Sequence, residues 1–164
     1  MKSNSVLSWL ALALLFVACG KKESVAPPVA EETPEKKEAR WLTGFEVAKA
    51  QARAENKLLL MNFTGSDWCP PCMMLEKAVF AKPEFRDYAA DHLVLLEVDF
   101  PRRKSLPDEQ RAANTALAQK YGIEGFPTVI VLDPSAEPLG QFGYVQGLDA
   151  KKVIEVLKKA QVKK

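Results

Sequence analysis

Two closely spaced cysteines carry the strongest chemical signal in this chain of 164 residues. Cys69 and Cys72 follow an apolar run, 58–63, and precede a helix-forming stretch, 73–80. The order of strand, turn, C-x-x-C and helix places both thiols where a helix begins. Unpaired N–H groups and the positive end of the helix dipole favour a thiolate there. We predict that Cys69 ionises readily and that Cys72 attacks any mixed disulfide formed by Cys69, which is dithiol–disulfide exchange.

The two residues between the cysteines are Pro70 and Pro71. Each lacks an N–H group, so neither can donate a hydrogen bond to the Cys69 thiolate, and the N–H of Cys72 is left for that role. Proline suits the first positions of a helix. We therefore predict a rigid turn that limits rearrangement when the disulfide opens.

The third cysteine, Cys19, lies at the end of a segment typical of export signals. Residues 1–18 combine Lys2, an apolar core and a small residue, Ala18, ahead of the cysteine. The core is too short to cross the roughly 30 Å hydrocarbon layer as a helix. The sequence around Cys19 resembles the lipobox of bacterial lipoproteins, although Phe16 stands where leucine is usual. The resemblance implies that Cys19 is acylated, with ordinary cleavage and a free thiol as the alternative.

Residues 19–40 are interpreted as the lipidated cysteine followed by a disordered tether. The segment is rich in Lys, Glu, Pro and Ala, so it cannot bury enough apolar surface to offset its conformational entropy. As a flexible coil it would reach roughly 25 Å and hold a domain off a membrane. Residues 41–164 are long enough for one domain with its own core. The whole chain balances 23 basic against 21 acidic residues, which argues against a nucleic-acid partner.

Hydrophobic periodicity predicts the order α-β-α-β-α-β-β-α for this domain. Thr43 is interpreted as an N-cap with Glu46 in capping-box spacing. Alternation of strands and helices implies parallel pairing, and the last two strands are expected to form an antiparallel hairpin. The predicted strands are 57–63, 92–100, 127–133 and 140–145, and the helices follow 43, 69, 105 and 148. Pro83 is expected to end the second helix, and 84–90 to add a short turn of helix.

Together these features resemble the thioredoxin superfamily. Trp68 before the C-x-x-C pair, and the run 125–128 (Gly-Phe-Pro-Thr) at a later strand start, carry the resemblance across 41–164. The segments 63–69 and 79–85 look like those of exported bacterial thioredoxin-like proteins that interchange disulfides. The resemblance implies an α/β thioredoxin fold with a central mixed sheet flanked by helices.

The resemblance also implies roles for single residues. Cys69 would be the exposed attacking thiolate, and Cys72 the more buried thiol that resolves the mixed disulfide. Trp68 would pack beside the pair and shape the approach surface. Pro127 matches a cis-proline that leaves the Phe126 backbone to pair with an extended substrate and keeps metal ligands away from the dithiol.

Two positions depart from the family pattern. Asn62 occupies the place of a buried aspartate that assists proton transfer at the resolving cysteine, and an amide cannot take that proton at neutral pH. Leu95 replaces the partner lysine of the next strand. Glu97 lies on the same face as Leu95 and could substitute, but a solvated carboxylate at the rim is the expected reading.

Metal chemistry is not expected. Zinc would need about four ligands, and with Cys19 acylated only Cys69, Cys72 and His92 remain. Copper(I) handling with Met73 and Met74 is a minor alternative, because methionines at helical positions usually belong to the core. We expect no cofactor.

We expect a thiol–disulfide oxidoreductase of the cell envelope, lipid-anchored to a membrane, with the outer membrane favoured in a Gram-negative host. Its partners would be protein thiol or disulfide substrates and an upstream membrane electron donor or acceptor. The alternative is a binding or scaffold module in which Cys69 and Cys72 form an inert structural disulfide.

Overall fold

The computed structural model of the protein describes residues 38–162. The export signal predicted at 1–18, Cys19 and nearly all of the tether lie outside the described residues. The strands are β1 (Trp41–Leu42), β2 (Leu58–Thr64), β3 (Leu93–Asp99), β4 (Thr128–Leu132) and β5 (Pro138–Phe142). The helices are α1 (Phe45–Glu55), α2 (Pro70–Leu75), α3 (Pro83–His92), α4 (Asp108–Lys120) and α5 (Ala150–Val162), and a π-helical turn (Glu76–Phe80) continues α2.

The strands form one mixed five-stranded sheet in the order β1-β3-β2-β4-β5. β1 and β2 run parallel to β3, while β4 runs antiparallel to β2 and to β5. The hairpin and the mixed sheet are as predicted. The antiparallel pairing of β4 with β2 differs from the parallel pairing that the alternation implied.

The path of α4 explains this difference. Asn114, in the middle of α4, donates to the carbonyl of Asp99 at the end of β3 (2.8 Å). Tyr121, directly after α4, lies with its ring 6.4 Å from that of Phe63, near the end of β2. The helix therefore stays at the C-terminal ends of β2 and β3, and it does not return the chain to the N-terminal ends of these strands. β4 consequently enters from the C-terminal end of β2, with Thr128 opposite Phe63.

Two apolar layers sandwich the sheet. Successive side chains of β2 point to opposite faces, and all seven are buried. Leu60 packs with α2, α3 and α5 on one face, and Met61 packs with α1 and α4 on the other. This double burial is the reason that apolar residues on both faces of β2 follow one another in the sequence, with Asn62 and Thr64 as the polar exceptions.

The remaining differences from prediction are local. Gly44, not Thr43, is the N-cap of α1, and no side chain caps that end, so the capping box is wrong. The two-residue strand β1 was not predicted. The short turn of helix expected at 84–90 is present and is longer than predicted, as the ten-residue helix α3. β1 is defined by pairing with a distant strand rather than by periodicity. Pro83 starts α3 as its first residue instead of only ending the preceding helix.

Candidate active site

The cysteine pair lies at the start of α2, after the turn that connects β2 to this helix. Cys69 is the N-cap of α2, and Pro70 and Pro71 occupy the first helical positions. The two sulfurs form a disulfide of 2.04 Å with the Cα atoms 5.3 Å apart. The backbone N–H of Cys72 donates to the Cys69 sulfur at 3.3 Å. This is the single donor that the two prolines were predicted to leave for the Cys69 thiolate.

Both cysteines are buried in this disulfide form, Cys69 with 4% and Cys72 with 5% of its surface exposed. The expected contrast between an exposed Cys69 and a buried Cys72 is therefore wrong for this state. Cys69 is flanked by Trp68 and by a loop that ends at Phe126, and these groups line an open cavity of about 530 Å³ with it. Cys72 does not line that cavity. The two cysteines have similar exposed areas, but only Cys69 lines the cavity.

Trp68 is fixed by three contacts. Its indole N–H donates to the carbonyl of Phe100 at 2.8 Å, and its ring meets Phe126 edge-to-face at 6.0 Å. The rings of Phe100 and Phe126 stack at 5.1 Å. Gly65 lies beneath the indole, because a Cβ atom built there would be 2.6 Å from its ring atoms. Trp68 thus packs beside the pair as the resemblance implies, and the need for Gly65 was missed because the contact skips two residues of a turn.

The loop after β3 is tied to the active-site turn by Asp67. Its carboxylate accepts hydrogen bonds from three consecutive backbone N–H groups, those of Arg102 (3.0 Å), Arg103 (2.7 Å) and Lys104 (3.1 Å). These donors, Arg102 first, hold the pKa of Asp67 below its ordinary value. The Arg102 guanidinium lies 3.6 Å from the centre of the Trp68 ring.

A second carboxylate strengthens the same connection. Asp99, the last residue of β3, accepts from the backbone N–H and the hydroxyl of Ser66 at 2.9 and 2.6 Å. Sequence reasoning missed both carboxylates, because their partners lie more than thirty positions away. Asp67 directly before Trp68 was the available signal, but its partners could not be read from spacing.

On the other side of the pair, the Phe126–Pro127 peptide bond is cis, the isomer that the resemblance implies. The Thr128 hydroxyl donates to the carbonyl of Gly125 at 2.8 Å and closes the turn ahead of β4. The sequence-predicted residues Trp68, Cys69, Pro70, Pro71 and Phe126 line one cavity.

A third region lies below the helix start. Leu75 of α2 and Leu60 of β2 share one apolar cluster. One helical turn back from Leu75 is Cys72, and two residues on from Leu60 along the strand is Asn62. Because α2 runs back over β2, these two steps point the same way and have similar lengths, about 5 and 7 Å. Asn62 therefore lies on the sheet face that α2 covers, and its place beneath Cys72 stays a prediction.

Asn62 is 6% exposed, and its Oδ1 atom has no hydrogen-bond partner among the described residues. Glu97 is its register partner on β3. Burial raises the pKa of Glu97, and the carboxylates of Asp99 and Glu76 raise it further, while Lys104 opposes them. Glu97 is half-buried, so its reading as a solvated rim carboxylate is wrong. Glu76, which sequence reasoning missed, also has its pKa raised by burial, opposed by Arg86.

Other predicted site residues have ordinary surroundings. Met73 and Met74 have 45% and 55% of their surface exposed. The expectation that they belong to the core is therefore wrong. Leu95 is buried in the apolar cluster, and His92 ends α3. Within residues 38–162, no group of three or more His, Cys, Asp or Glu side chains is arranged to hold a metal ion. None of the helices in that range has the length and apolar character needed to cross a bilayer.

Comparison with known proteins adds three findings. The family model described as "Thioredoxin-like domain" matches residues 45–161. The chain is 34% identical over 109 residues to the disulfide bond reductase DsbH of Chlamydia pneumoniae, covering 66% of each chain. It is 30% identical over 110 residues to the thioredoxin-related protein DsbJ of the same organism, covering 65% of this chain and 32% of DsbJ.

The fold has a matching solved structure. A structure named DsbH oxidoreductase superposes with a TM-score of 0.68 at 30% identity, covering 86% of this chain and 93% of that one. The chain thus spans about two thirds of the curated DsbH sequence and about one third of DsbJ. The predicted thioredoxin fold is confirmed.

Proposed function

Because the chain belongs to the thioredoxin-like domain family, we propose that it is a thiol–disulfide oxidoreductase acting through Cys69 and Cys72. One observation carries this proposal. The disulfide sits at the N-terminus of α2, with a backbone N–H on the Cys69 sulfur and Cys69 lining an open cavity. A hydrogen bond and the helix dipole stabilise the thiolate that forms when the bond opens.

In the reducing direction, the Cys69 thiolate attacks one sulfur of a partner disulfide. A mixed disulfide forms, and the other partner sulfur leaves as a thiolate that takes up a proton. Cys72 then loses its proton and attacks the Cys69 sulfur, which releases the second partner thiol and restores the Cys69–Cys72 bond. Two electrons pass to the partner, and the reverse sequence oxidises a partner dithiol.

The substrate class we propose is an extended polypeptide that contains a disulfide or a pair of thiols. The cavity beside Cys69 is walled by Trp68 and Phe126, which favours an apolar backbone-and-side-chain contact over a charged small molecule. The names of the relatives, a disulfide bond reductase and a thioredoxin-related protein, support protein thiol chemistry. A membrane electron donor or acceptor would return the pair to its starting state.

We propose the same division of the chain that the sequence predicts: 1–18 as export signal, 19–40 as acylated cysteine and tether, and 41–164 as the redox domain. The enzyme would then work in the cell envelope, anchored by Cys19. Replacing Cys19 by Ala should release the protein from membranes and leave the melting curve of the domain unchanged. Membrane fractionation of the two proteins tests this, and equal membrane association would contradict the anchor.

Trapping experiments test the redox proposal. Cys72→Ser should accumulate mixed disulfides through Cys69, because the resolving attack is gone, and Cys69→Ser should trap few or none. Non-reducing gels of each purified variant with a disulfide-containing peptide provide the measurement. Equal trapping by both variants would contradict the assigned roles.

A structural disulfide is the competing function, and the burial of both sulfurs favours it. A structural bridge would resist reduction by dithiothreitol in the folded protein, and neither single variant would trap a partner. The proposed oxidoreductase requires reduction of the native protein without unfolding, followed by alkylation of Cys69 before Cys72. Peptide mapping after brief alkylation distinguishes the two.

A further inference from the structure

Three consecutive cations lie in the loop that is bonded to Asp67, and they have no part in the proposed exchange chemistry. Arg102, Arg103 and Lys104 follow β3, and all three side chains are exposed. They are called the basic loop below. Among the described residues, no ion pair within 4.0 Å includes any of them. Three charges that remain in solvent are available to a partner.

The position of the basic loop is set by its backbone and not by its side chains. Asp67 accepts hydrogen bonds from the backbone N–H groups of all three residues, so their charged side-chain groups are not used to hold the loop to Asp67. Asp67 directly precedes Trp68 in the chain, so the bonds fix the loop next to the active-site turn. Its one carboxylate offsets one of the three positive charges, and the loop keeps a net positive charge.

Arg102 carries that charge to the rim of the Cys69 cavity. Its guanidinium stacks on Trp68 at 3.6 Å, and Trp68 lines the cavity together with Cys69. On the cavity wall, the charged residue is Glu124, which belongs to the loop ahead of Phe126. A polypeptide entering the cavity therefore meets positive charge on the Trp68 side and negative charge on the Glu124 side.

Further acidic groups near the loop are already occupied. Asp99 is bonded to Ser66. Glu97 is half-buried, and the positive charge of Lys104 lowers its pKa against the larger effect of burial. Neither of them presents a free carboxylate at the cavity rim, so the basic loop is the charged surface that an incoming partner meets beside Trp68.

We propose that the basic loop is a docking surface for acidic residues that flank the reactive disulfide of a partner polypeptide. The proposal rests on the thiol–disulfide exchange proposed above and adds its selectivity. Exposed charges contribute mainly to the rate of association and to discrimination against like-charged partners. The loop should therefore favour polypeptides with Asp or Glu near the disulfide and disfavour those with Lys or Arg.

The test compares three synthetic peptides with the same internal disulfide and with acidic, neutral or basic flanking residues. The full chain is reduced, freed of reductant and mixed with each peptide, and acid-quenched samples give second-order rate constants for formation of the peptide dithiol. At about 10 mM salt we expect the acidic peptide to react about tenfold faster than the neutral one, in the range of electrostatic steering. At about 1 M salt, where charges are screened within about 3 Å, the three rates should converge.

The variant Arg103→Ala/Lys104→Ala keeps the backbone N–H groups that bind Asp67 and removes two charges. Its acidic-to-neutral rate ratio should fall by about threefold or more. The matched control Lys151→Ala/Lys159→Ala removes two exposed charges from α5 and should keep the ratio of the parent. Equal ratios for the parent and the Arg103/Lys104 variant would overturn the proposal. Absence of exchange with every peptide by a folded parent would instead contradict the oxidoreductase function.

An anionic lipid surface is the other chemistry that could meet these cations. Flotation with phosphatidylglycerol vesicles uses the full chain carrying Cys19→Ala, so that the predicted acyl group does not contribute. Suppose that vesicle binding disappears with Arg103→Ala/Lys104→Ala and that the three peptides react at equal rates. The partner of the basic loop would then be an anionic membrane, and the docking proposal for acidic polypeptides would be overturned. A rate preference for the acidic peptide supports the docking proposal whether or not vesicles bind.

Discussion

The polar groups on the two sides of the Cys69–Cys72 disulfide differ in how well they are hydrogen-bonded. On the loop side, the Asp67 carboxylate accepts three hydrogen bonds at the protein surface. Beneath the helix start, the buried Asn62 has an oxygen without a partner in the described part of the chain, and it lies in register with the half-buried Glu97. One side is bonded throughout, and the other holds polar groups that the fold satisfies poorly.

The difference indicates separate tasks for the two sides. Bonded groups rigidify their surroundings, so the loop side holds Trp68 and the basic loop in place. An unsatisfied buried oxygen costs free energy, and burial disfavours the charged form of Glu97. Such costs are tolerated where polar groups serve chemistry, and proton transfer at the resolving cysteine is the chemistry that the family resemblance predicts for this position.

The largest expected effect comes from the loop side. Gly65→Ala places a Cβ atom 2.6 Å from the Trp68 ring, so the indole must shift and lose its hydrogen bond to Phe100. We expect the free energy of unfolding to fall by about 1–3 kcal/mol. Gly140→Ala, where nothing lies within 4 Å of the new Cβ, is the control. Urea unfolding measures both, and an unchanged value for Gly65→Ala would show that the loop side is not rigid.

The next effect has the opposite sign and comes from beneath the helix. Asn62→Leu removes a buried oxygen that lacks a partner, and it should raise the free energy of unfolding by about 1–3 kcal/mol. Asn114 is the matched control: it is also buried, with 2% of its surface exposed, but it is bonded to Asp99 and Gln110, so Asn114→Leu should destabilise. If both variants lose stability in urea unfolding, Asn62 has a partner and the contrast between the two sides fails.

The two sides should also respond to pH with opposite signs. The pKa of Asp67 is lowered from its ordinary 3.8, so its stabilisation is complete above that value and is lost as the pH falls through the folded-state pKa. The pKa of Glu97 is raised from its ordinary 4.5, so its protonated form stabilises below that value, and this contribution is lost as the pH rises through the folded-state pKa.

Melting curves recorded from about pH 2.5 to about pH 8, in steps of about half a pH unit, test the direction in which stability changes with pH. Asp67→Asn should be less stable than the parent at neutral pH and approach it in acid. Glu97→Gln should match the parent most closely in acid and gain on it as the pH rises above 4.5. Glu76→Gln removes a carboxylate that raises the pKa of Glu97, and it should show a weaker gain of the same sign. Parallel curves for Asp67→Asn and Glu97→Gln would remove the distinction.

The smallest effect concerns the stacked cation. Arg102→Ala removes the guanidinium over Trp68 and leaves the N–H that binds Asp67. An exposed cation–π contact is worth about 0.5–1 kcal/mol, so stability should fall by that amount and the tryptophan fluorescence of the folded protein should change. Arg103→Ala, whose side chain makes no ring contact among the described residues, serves as the reference. Identical fluorescence for the two variants would mean that the stack does not form in solution.

Sequence spacing determined the parts of this protein that depend on neighbours along the chain. The C-x-x-C pair falls at a helix N-terminus because an apolar strand, a turn and a helix former succeed one another, and proline at the first helical positions leaves the Cys72 N–H as the donor. Double burial of β2 follows from its mainly apolar side chains, which Asn62 interrupts. The mixed sheet and the family resemblance rest on such local signals, and both are confirmed.

Tertiary structure decided what depends on residues far apart in the chain. β4 pairs antiparallel with β2 because α4 remains at the C-terminal ends of β2 and β3. Asp67 finds its three donors some 35 to 37 positions away, and the pKa of Glu97 is raised by burial and by Glu76, which is distant in the chain. Periodicity reports which face of an element is apolar, but the partner that covers that face, and the solvent it excludes from a carboxylate, are set only when the elements assemble.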